Sequence, residues 1–288
     1  MKDYLIRGIT KDKCIRFFAI SANQVVSEAM KIHHLSYTNS ILLGRTLIAG
    51  LLMSNDLKNE DDLLTIRFIG DGPAGHFLVT CNGKNSIKGY SENPGFESEK
   101  GFNASAAVGS GVINVIKSIG DLKPYIGQTN IISGEIAEDI AYYYMQSEQI
   151  PTAIQLGVLL NEDASVRQAG GFLVQLMPDT PEHLIERLEN NIKAFPNFSD
   201  MLDLNYSLES LIEKFILKGF GIDITETNEV RYECNCNKDR FEKGLALLGK
   251  EELQIMIDDN ESISAECHFC NKTYQFDLID LKKIYNSL

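Results

Sequence analysis

The sequence contains no tryptophan, only five histidines and no excess of basic residues. Its 288 residues carry 27 basic and 40 acidic side chains, a formal net charge of -13. By segment, the net charge is -3 for residues 1–178, -6 for residues 179–228 and -4 for residues 229–288. Nucleic acids and anionic membranes both attract basic segments. A chain that is acidic in every segment is therefore expected to bind neither.

Long apolar runs are also missing. The longest, Ile41 to Met53, contains Arg45 and is shorter than the roughly 20 residues that a membrane span needs, so we expect a buried helix. Lysines and arginines interrupt the first twenty residues, which lack the apolar core of a secretory signal. These features predict a cytoplasmic protein. In a reducing cytosol, clustered cysteines favour a metal or redox site over structural disulfides.

Enzyme motifs are absent as well. The sequence has no phosphate-binding GxxxxGK[ST] loop and no G-x-S-x-G nucleophile elbow. Glu135, Glu138 and Asp139 form an acidic group, but the first turn of a helix favours acidic residues without any catalytic role. Four histidines do not have the sequence spacing typical of metal ligands or of a catalytic triad: His33, His34, His76 and His183. We therefore expect a protein that is not an enzyme.

Residues 1–178 mix strand and helix patterns irregularly, which predicts an α+β domain. Helices are predicted over 39–54, over 111–119 and over 135–149, the last with Ser133 as its cap. Short runs rich in Ile, Leu, Val and Phe predict the strands IRGIT, CIRFFAIS, LLTIRFIG, GHFLVTCNG, SIKGYS, TNIISGE, AIQLGVLLN and GGFLVQLMP.

Residues 179–228 differ in character from the preceding part of the chain. Apolar residues at three- and four-residue spacing predict one amphipathic helix from Pro181 and a second from Ser207 to about Gly219, with a loop and a short helical turn between them. This helical segment is apolar on one face and acidic on the other. Two interpretations remain open: the helices dock permanently on the neighbouring domain, or their apolar face is exposed under some conditions.

Four of the six cysteines lie in residues 229–288. Cys234 and Cys236 form a C-x-C motif, and Cys267 and Cys270 form a C-x-x-C motif. Two close pairs of thiolates match a closed tetrahedral zinc site. Around the motifs, the pattern predicts a helix at 240–248, strands at SISAEC and TYQFD, and either a helix or a strand at 251–257.

A segment of this size has a marginal core, whereas structural zinc contributes about 10–16 kcal/mol in small peptides. Loss of zinc is therefore expected to unfold it. Oxidation would have the same effect, since a cysteine in a disulfide is no longer a thiolate ligand. Four cysteines allow three pairings, of which the pairing within each motif closes the shortest loops.

The remaining candidate residues have simpler interpretations. His268 lies inside the second motif and could replace one cysteine, although four thiolates already complete a zinc site. Cys14 and Cys81 fall in predicted strands and are interpreted as buried apolar residues.

Several longer motifs together resemble one known family. They are GDGPAGHFLVT, IKGYSENP, LKPYIGQTNIISGEIAEDIAYYYMQSEQIPTAIQLGVLL and AGGFLVQLMP, followed by ECNC and CHFC. Over essentially its whole length the chain resembles the family of heat shock protein 33, the 33 kDa chaperonins. The resemblance implies an α+β chaperone domain at 1–178, a helical linker at 179–228 and a zinc-binding domain at 229–288.

The resemblance also implies a function. In the reduced form one zinc ion would be bound by Cys234, Cys236, Cys267 and Cys270, and the protein would be inactive. Oxidation would form the disulfides Cys234–Cys236 and Cys267–Cys270, release zinc, unfold the C-terminal domain and loosen the linker. The product would be an ATP-independent holdase, in many cases a homodimer, that binds unfolding proteins in the cytoplasm under oxidative stress. Individual client-binding residues cannot be transferred from the family.

We expect the zinc domain to stabilise the packed linker, so that its loss would expose apolar residues that include Leu184, Leu188, Leu211 and Phe215. One alternative function is a static zinc-ribbon adaptor that binds a folded partner. Another is a thiol oxidoreductase that uses Cys267 and Cys270 as its active pair.

Overall fold

The computed structural model describes residues 2–99, 101–260 and 262–288. By its internal contacts the chain divides into two units, Met1–Glu233 and Cys234–Leu288. Both units combine helices with antiparallel strands, so the predicted α+β class is confirmed.

The first unit contains two large sheets and seven α-helices in its described part. Its strands are β1 (Tyr4–Thr10), β2 (Ile15–Ser21), β3 (Leu63–Gly70), β4 (Phe77–Asn82), β5 (Ser86–Ser91), β6 (Gly111–Ser118), β7 (Tyr125–Asn130), β8 (Thr152–Leu160), β9 (Val166–Leu176), β10 (Ile222–Glu229) and β11 (Arg231–Tyr232). Its helices are α1 (Asn23–His33), α2 (Tyr37–Met53), α3 (Ala104–Val108), α4 (Ile136–Tyr143), α5 (Glu182–Ala194), α6 (Phe198–Asp203) and α7 (Leu208–Leu211). Two of them continue as π-helical turns, α4 over Tyr144–Glu148 and α7 over Ile212–Ile216.

The first sheet has the strand order β10-β1-β2-β9-β8 and is antiparallel throughout. The second has the order β11-β5-β4-β3-β6-β7, and in it only the pair β11 and β5 is parallel. Successive side chains of a strand point to opposite faces. On β2, Phe18 and Ile20 therefore join one hydrophobic cluster, while Phe17 and Ala19 join another.

The first cluster surrounds α2, which packs against strands of both sheets. All but two of the 17 residues of this helix are buried, and the Ser36 hydroxyl caps it by accepting a hydrogen bond from the Asn39 N–H. The predicted buried helix is thus confirmed. Among the residues that the structure describes, no helix combines the length and apolarity of a membrane span.

The second cluster lies on the opposite face of the first sheet, under α5, α6 and α7. Rings of Phe172 on β9 and Phe198 on α6 lie 5.8 Å apart, centroid to centroid, so strand and helix side chains interdigitate. The two predicted amphipathic helices therefore dock on this sheet. The buried residues of this cluster are Ile6, Ile15, Phe17, Ala19, Phe172 and Val174 from the sheet, and Leu184, Leu188, Phe195, Phe198, Met201, Leu202, Leu208, Leu211, Ile212, Ile216, Leu217 and Phe220 from the helical segment.

Three local predictions differ from the structure. The segment predicted as a helix at 111–119 is β6, because Ile113 and Val115 alternate with less buried residues and β-branched side chains favour strands. Residues 222–229, at the end of the predicted helical linker, form β10, in which isoleucine and polar residues alternate at the start of the strand. The segment TNIISGE is a strand only at its first two residues, since β7 ends at Asn130.

The second unit is small. It contains α8 (Lys238–Ala246), α9 (Lys250–Asp258), the antiparallel pair β12 (Ile263–Glu266) and β13 (Thr273–Phe276), and α10 (Leu278–Asn286). The helix and the two strands predicted here are confirmed, and the ambiguous segment 251–257 is helical. Helix α10, which begins at a capping box of Asp277 and Asp280, was not predicted. The buried core consists of Leu253, Phe276, Leu281 and Ile284.

Candidate metal centre

The four clustered cysteines come from two turns of the second unit. Cys234 and Cys236 precede α8, whose first turn is capped by the Asn237 side chain. Cys267 and Cys270 lie in the turn between β12 and β13. This turn is closed by hydrogen bonds from the Cys267 N–H to the Lys272 carbonyl, 2.9 Å, and from the Cys270 N–H to the Cys267 carbonyl, 3.2 Å.

The turns bring the four sulfur atoms within 4.8 Å of one another. The Cys234 and Cys267 sulfurs are 3.7 Å apart, and those of Cys236 and Cys270 are 3.3 Å apart. A tetrahedral zinc site with Zn–S bonds of about 2.3 Å has sulfur atoms about 3.8 Å apart along each edge. The donor set and its spacing therefore fit a closed site that could hold a metal ion.

Ionisation of the cluster is uneven. Burial raises the pKa of the Cys234 thiol and raises that of Cys270 to about 12. Burial acts in the same direction on Cys236, but hydrogen bonds from the Tyr274 hydroxyl and the neighbouring thiols outweigh it and lower its pKa to about 7. Four thiolates in so small a space repel one another, and a bound cation removes that penalty.

Tyr274 is the residue of this site that sequence reasoning missed. Its hydroxyl oxygen lies 3.2 Å from the Cys236 sulfur and 3.0 Å from the Cys236 carbonyl oxygen, so its one proton is shared between these two acceptors. Its ring packs on Phe241 of α8, with centroids 4.9 Å apart. Tyr274 thus connects β13 to the first cysteine turn, and only its position in the predicted strand TYQFD hinted at such a contact.

The other candidate residues lie outside this cluster. Within the described residues, the metal-ligand grouping contains the four cysteines and none of the histidines His33, His34, His76, His183 and His268. Cys81 is buried in the first cluster, as predicted, and burial raises its pKa to about 12. Cys14 is only half-buried.

The acidic group at α4 has a structural role. The Asp139 carboxylate is fully buried and accepts hydrogen bonds from the N–H groups of Ile132, Ser133 and Gly134 at 2.9–3.0 Å. The Ser133 hydroxyl, the predicted cap, accepts a hydrogen bond from the Glu135 N–H, 3.1 Å, so Ser133 and Asp139 together satisfy the chain where it enters this helix. Glu135 forms an ion pair with Arg45 at 2.7 Å.

Residues proposed to become exposed on activation are covered in this structure. Leu184, Leu188 and Leu211 are buried in the second cluster, and Phe215 packs against it. The apolar side of the helical segment is therefore covered by the first sheet.

Comparisons with known proteins identify the family. The family profile described as Hsp33 protein matches residues 3–277. A 33 kDa chaperonin of Acetivibrio thermocellus is 42% identical, with 100% of this chain and 99% of the relative aligned, and one of Agathobacter rectalis is 40% identical, with 99% and 100% aligned. The crystal structure of the 33 kDa chaperonin of Thermotoga maritima superimposes with a TM-score of 0.88 at 34% identity, covering 100% of this chain and 99% of that one. The chain therefore belongs to the Hsp33 family of chaperones, which are non-enzymatic holdases.

Proposed function

We propose that this chain is a redox-regulated, ATP-independent holdase that is inactive when reduced and zinc-bound. Cys234, Cys236, Cys267 and Cys270 would hold one zinc ion per chain. Oxidation to the disulfides Cys234–Cys236 and Cys267–Cys270 would activate it. The observation that carries the proposal is the convergence of four thiols in a unit whose buried core has only four residues among those described.

The bound ion would supply stability to the second unit, because metal binding and folding are coupled in small domains. The core of Leu253, Phe276, Leu281 and Ile284 is too small to replace it. When each pair of thiolates forms a disulfide, it gives up two electrons. Hydrogen peroxide accepts them, takes up two protons and becomes two water molecules. The sulfur atoms then no longer carry the charge that binds the cation, which leaves as Zn²⁺.

Unfolding of the second unit would act on the helical segment through the chain that joins them. Cys234 directly follows Glu233, whose N–H donates to the Ile87 carbonyl on β5, 2.9 Å. Release of this attachment would loosen β11, β10 and the helices before them. The second cluster would then open, and both its sheet face and its helix face could hold apolar segments of unfolding client proteins.

The proposal also covers the compartment and the oligomeric state. The oxidised protein would act in the cytoplasm under oxidative stress, and it would form a homodimer as the freed apolar surfaces associate. The division into a chaperone domain at 1–178, a linker at 179–228 and a zinc domain at 229–288 follows these roles. Membership in a chaperone family weighs against both the zinc-ribbon adaptor and the thiol oxidoreductase.

The decisive experiment compares reduced, zinc-loaded protein with the same preparation after peroxide treatment. We expect one zinc released per chain, four thiols lost, and suppression of client aggregation only after oxidation. A variant with Cys14 and Cys81 replaced by alanine is the matched control and should respond like the parent. Equal chaperone activity before and after oxidation would contradict the proposal.

A further inference from the structure

Strand β10 completes an edge of the first sheet but contributes almost nothing to the core. It pairs antiparallel with β1, and the register shifts between Arg7 and Gly8. None of its eight side chains is buried, and of these residues only Ile222 packs against the second cluster. Its sequence IDITETNE carries three carboxylates, at Asp223, Glu226 and Glu229.

The charged contacts of β10 are weak. Glu226 lies 3.7 Å from Arg7, and Glu229 lies 3.3 Å from Lys2, and all four side chains are at least 39% exposed. Ion pairs with this exposure contribute little to stability. Apart from one bond from the Thr225 hydroxyl to the Arg7 carbonyl, 3.1 Å, main-chain hydrogen bonds therefore hold β10 in place, and any extended chain can make such bonds.

The position of β10 in the sequence makes it removable. Two glycines with positive φ precede it, Gly219 at 86° and Gly221 at 65°. After it, Val230 is buried in the first cluster, and β11 attaches the chain to the second sheet, where the Tyr232 hydroxyl donates to the Gly89 carbonyl, 2.8 Å. Cys234 is two residues further on, so unfolding of the second unit starts at the end of this attachment.

Strand β1, in contrast, is fixed from its other side. It pairs with β2 from Tyr4 to Ile9, and Leu5 and Ile6 are fully buried, one in each hydrophobic cluster. If β10 leaves, β1 keeps its place and exposes a row of unpaired N–H and C=O groups. Such an edge is a template for the addition of another strand.

We propose that the edge of β1 is a client-binding site, at which an extended segment of an unfolded polypeptide adds antiparallel in place of β10. The inference rests on the proposed function, since β10 leaves only on activation. Main-chain pairing accepts almost any sequence, which suits a protein that holds many clients. Lys2 and Arg7, whose acidic partners on β10 would be gone, favour client segments with acidic side chains.

The first test removes β10 without oxidation. The Val230 N–H donates to the Asp3 carbonyl, and alternation along an antiparallel pair then directs the Asn228 N–H towards Leu5. Asn228→Pro deletes that donor, and Asn228→Ala is the matched control. We expect zinc-loaded, reduced N228P to bind carboxymethylated α-lactalbumin, which is permanently unfolded, within about tenfold of the affinity of the oxidised parent. Reduced N228A should not bind it.

The second test uses hydrogen exchange of the parent protein. Amides of Leu5, Arg7 and Ile9 should be protected in the reduced form, exchange at least about tenfold faster after oxidation, and regain protection when the unfolded α-lactalbumin is added. Protection that appears without client and rises with protein concentration would assign the edge to a second copy of the chain and overturn the proposal. An oxidised protein that binds client while these amides stay unprotected would overturn the inference and leave the proposed function intact. An oxidised protein that binds no client would overturn both.

Discussion

The two units of the chain bury apolar side chains to very different extents. Residues 2–233 contain two hydrophobic clusters on opposite faces of one sheet, whereas residues 234–288 bury four core residues and leave Leu247 89% and Ile279 77% exposed. Apolar burial is the dominant favourable contribution to folding. The first unit can therefore stay folded under conditions in which the second depends on its cysteines. One chain can therefore contain a unit that is stable by itself and a second unit whose folding depends on the state of its cysteines.

Removal of zinc is expected to produce the largest difference in stability between the two units. Chelation under reducing conditions should unfold residues 234–288 and loosen the helical segment, while β1 to β9 of the first unit stay folded, because structural zinc stabilises small domains by about 10–16 kcal/mol. Hydrogen exchange should show loss of protection in β12 and β13 and unchanged protection in β3 and β9. If the amides of the second unit stayed protected without metal and with free thiols, the second unit would not depend on zinc, and the proposed difference in stability between the units would be wrong.

A smaller effect is expected from the core of the second unit. Leu253 is fully buried, so Leu253→Ala should cost about 2–5 kcal/mol. Because folding and metal binding are coupled, the loss should appear as weaker zinc binding, about tenfold for each 1.4 kcal/mol. A competition titration with a chromophoric chelator measures it.

Two matched variants sharpen this result. Leu247→Ala, at an exposed position, should leave zinc affinity unchanged. Leu42→Ala removes an equally buried leucine from the first unit, where it should lower the free energy of unfolding without affecting zinc. Weaker zinc binding in L42A would show that the two units do not fold independently.

A pH-dependent effect is expected in the first unit. Burial acts to raise the pKa of Glu148, but hydrogen bonds from Lys117 and Tyr143, both 2.7 Å, outweigh it and lower that pKa below 4.5. A lowered folded-state pKa stabilises the fold above the unfolded pKa, and this contribution is lost as pH falls through the folded value. Glu148→Gln should cost about 1–3 kcal/mol at pH 7.

The cost of this substitution should shrink as the pH falls below 4.5, which urea unfolding at several pH values would reveal. Zinc content at pH 7 should be unaffected. A cost that is the same at pH 3 and pH 7 would contradict the role assigned to the ionised carboxylate.

The smallest effect is expected at Cys81. Its pKa of about 12 keeps the thiol protonated, and burial shields it, so iodoacetamide should label it only after unfolding. Cys81→Ala should cost about 1 kcal/mol, because little more than one heavy atom leaves the core. Mass spectrometry of the parent protein measures the labelling of Cys81. Zinc release on oxidation measures whether Cys81→Ala responds to peroxide like the parent. A changed response to peroxide would mean that redox chemistry is not confined to the second unit.

The cysteine cluster was predictable because its chemistry lies in residue type and local spacing, which do not depend on the surrounding fold. Tyr274 was not, since its contact with Cys236 depends on how β13 meets the first cysteine turn. The helix predicted at 111–119 was wrong because a short apolar run does not distinguish a helix from a strand. Strand β10 was missed because its pairing with β1 joins distant parts of the chain, as Tyr4 with Glu229, and no local pattern reports such a partner.

That pairing also constrains how the molecule is made. A ribosome synthesises Tyr4 long before Glu229, so the first sheet cannot acquire β10 until the residues between them have emerged. The helices that cover the second cluster also emerge late. A nascent chain therefore passes through a stage in which β1 has a bare edge and the sheet face is uncovered. The surfaces that we propose for client binding would thus be exposed during synthesis of the protein. Rapid completion of the second unit would then limit aggregation of the nascent chain.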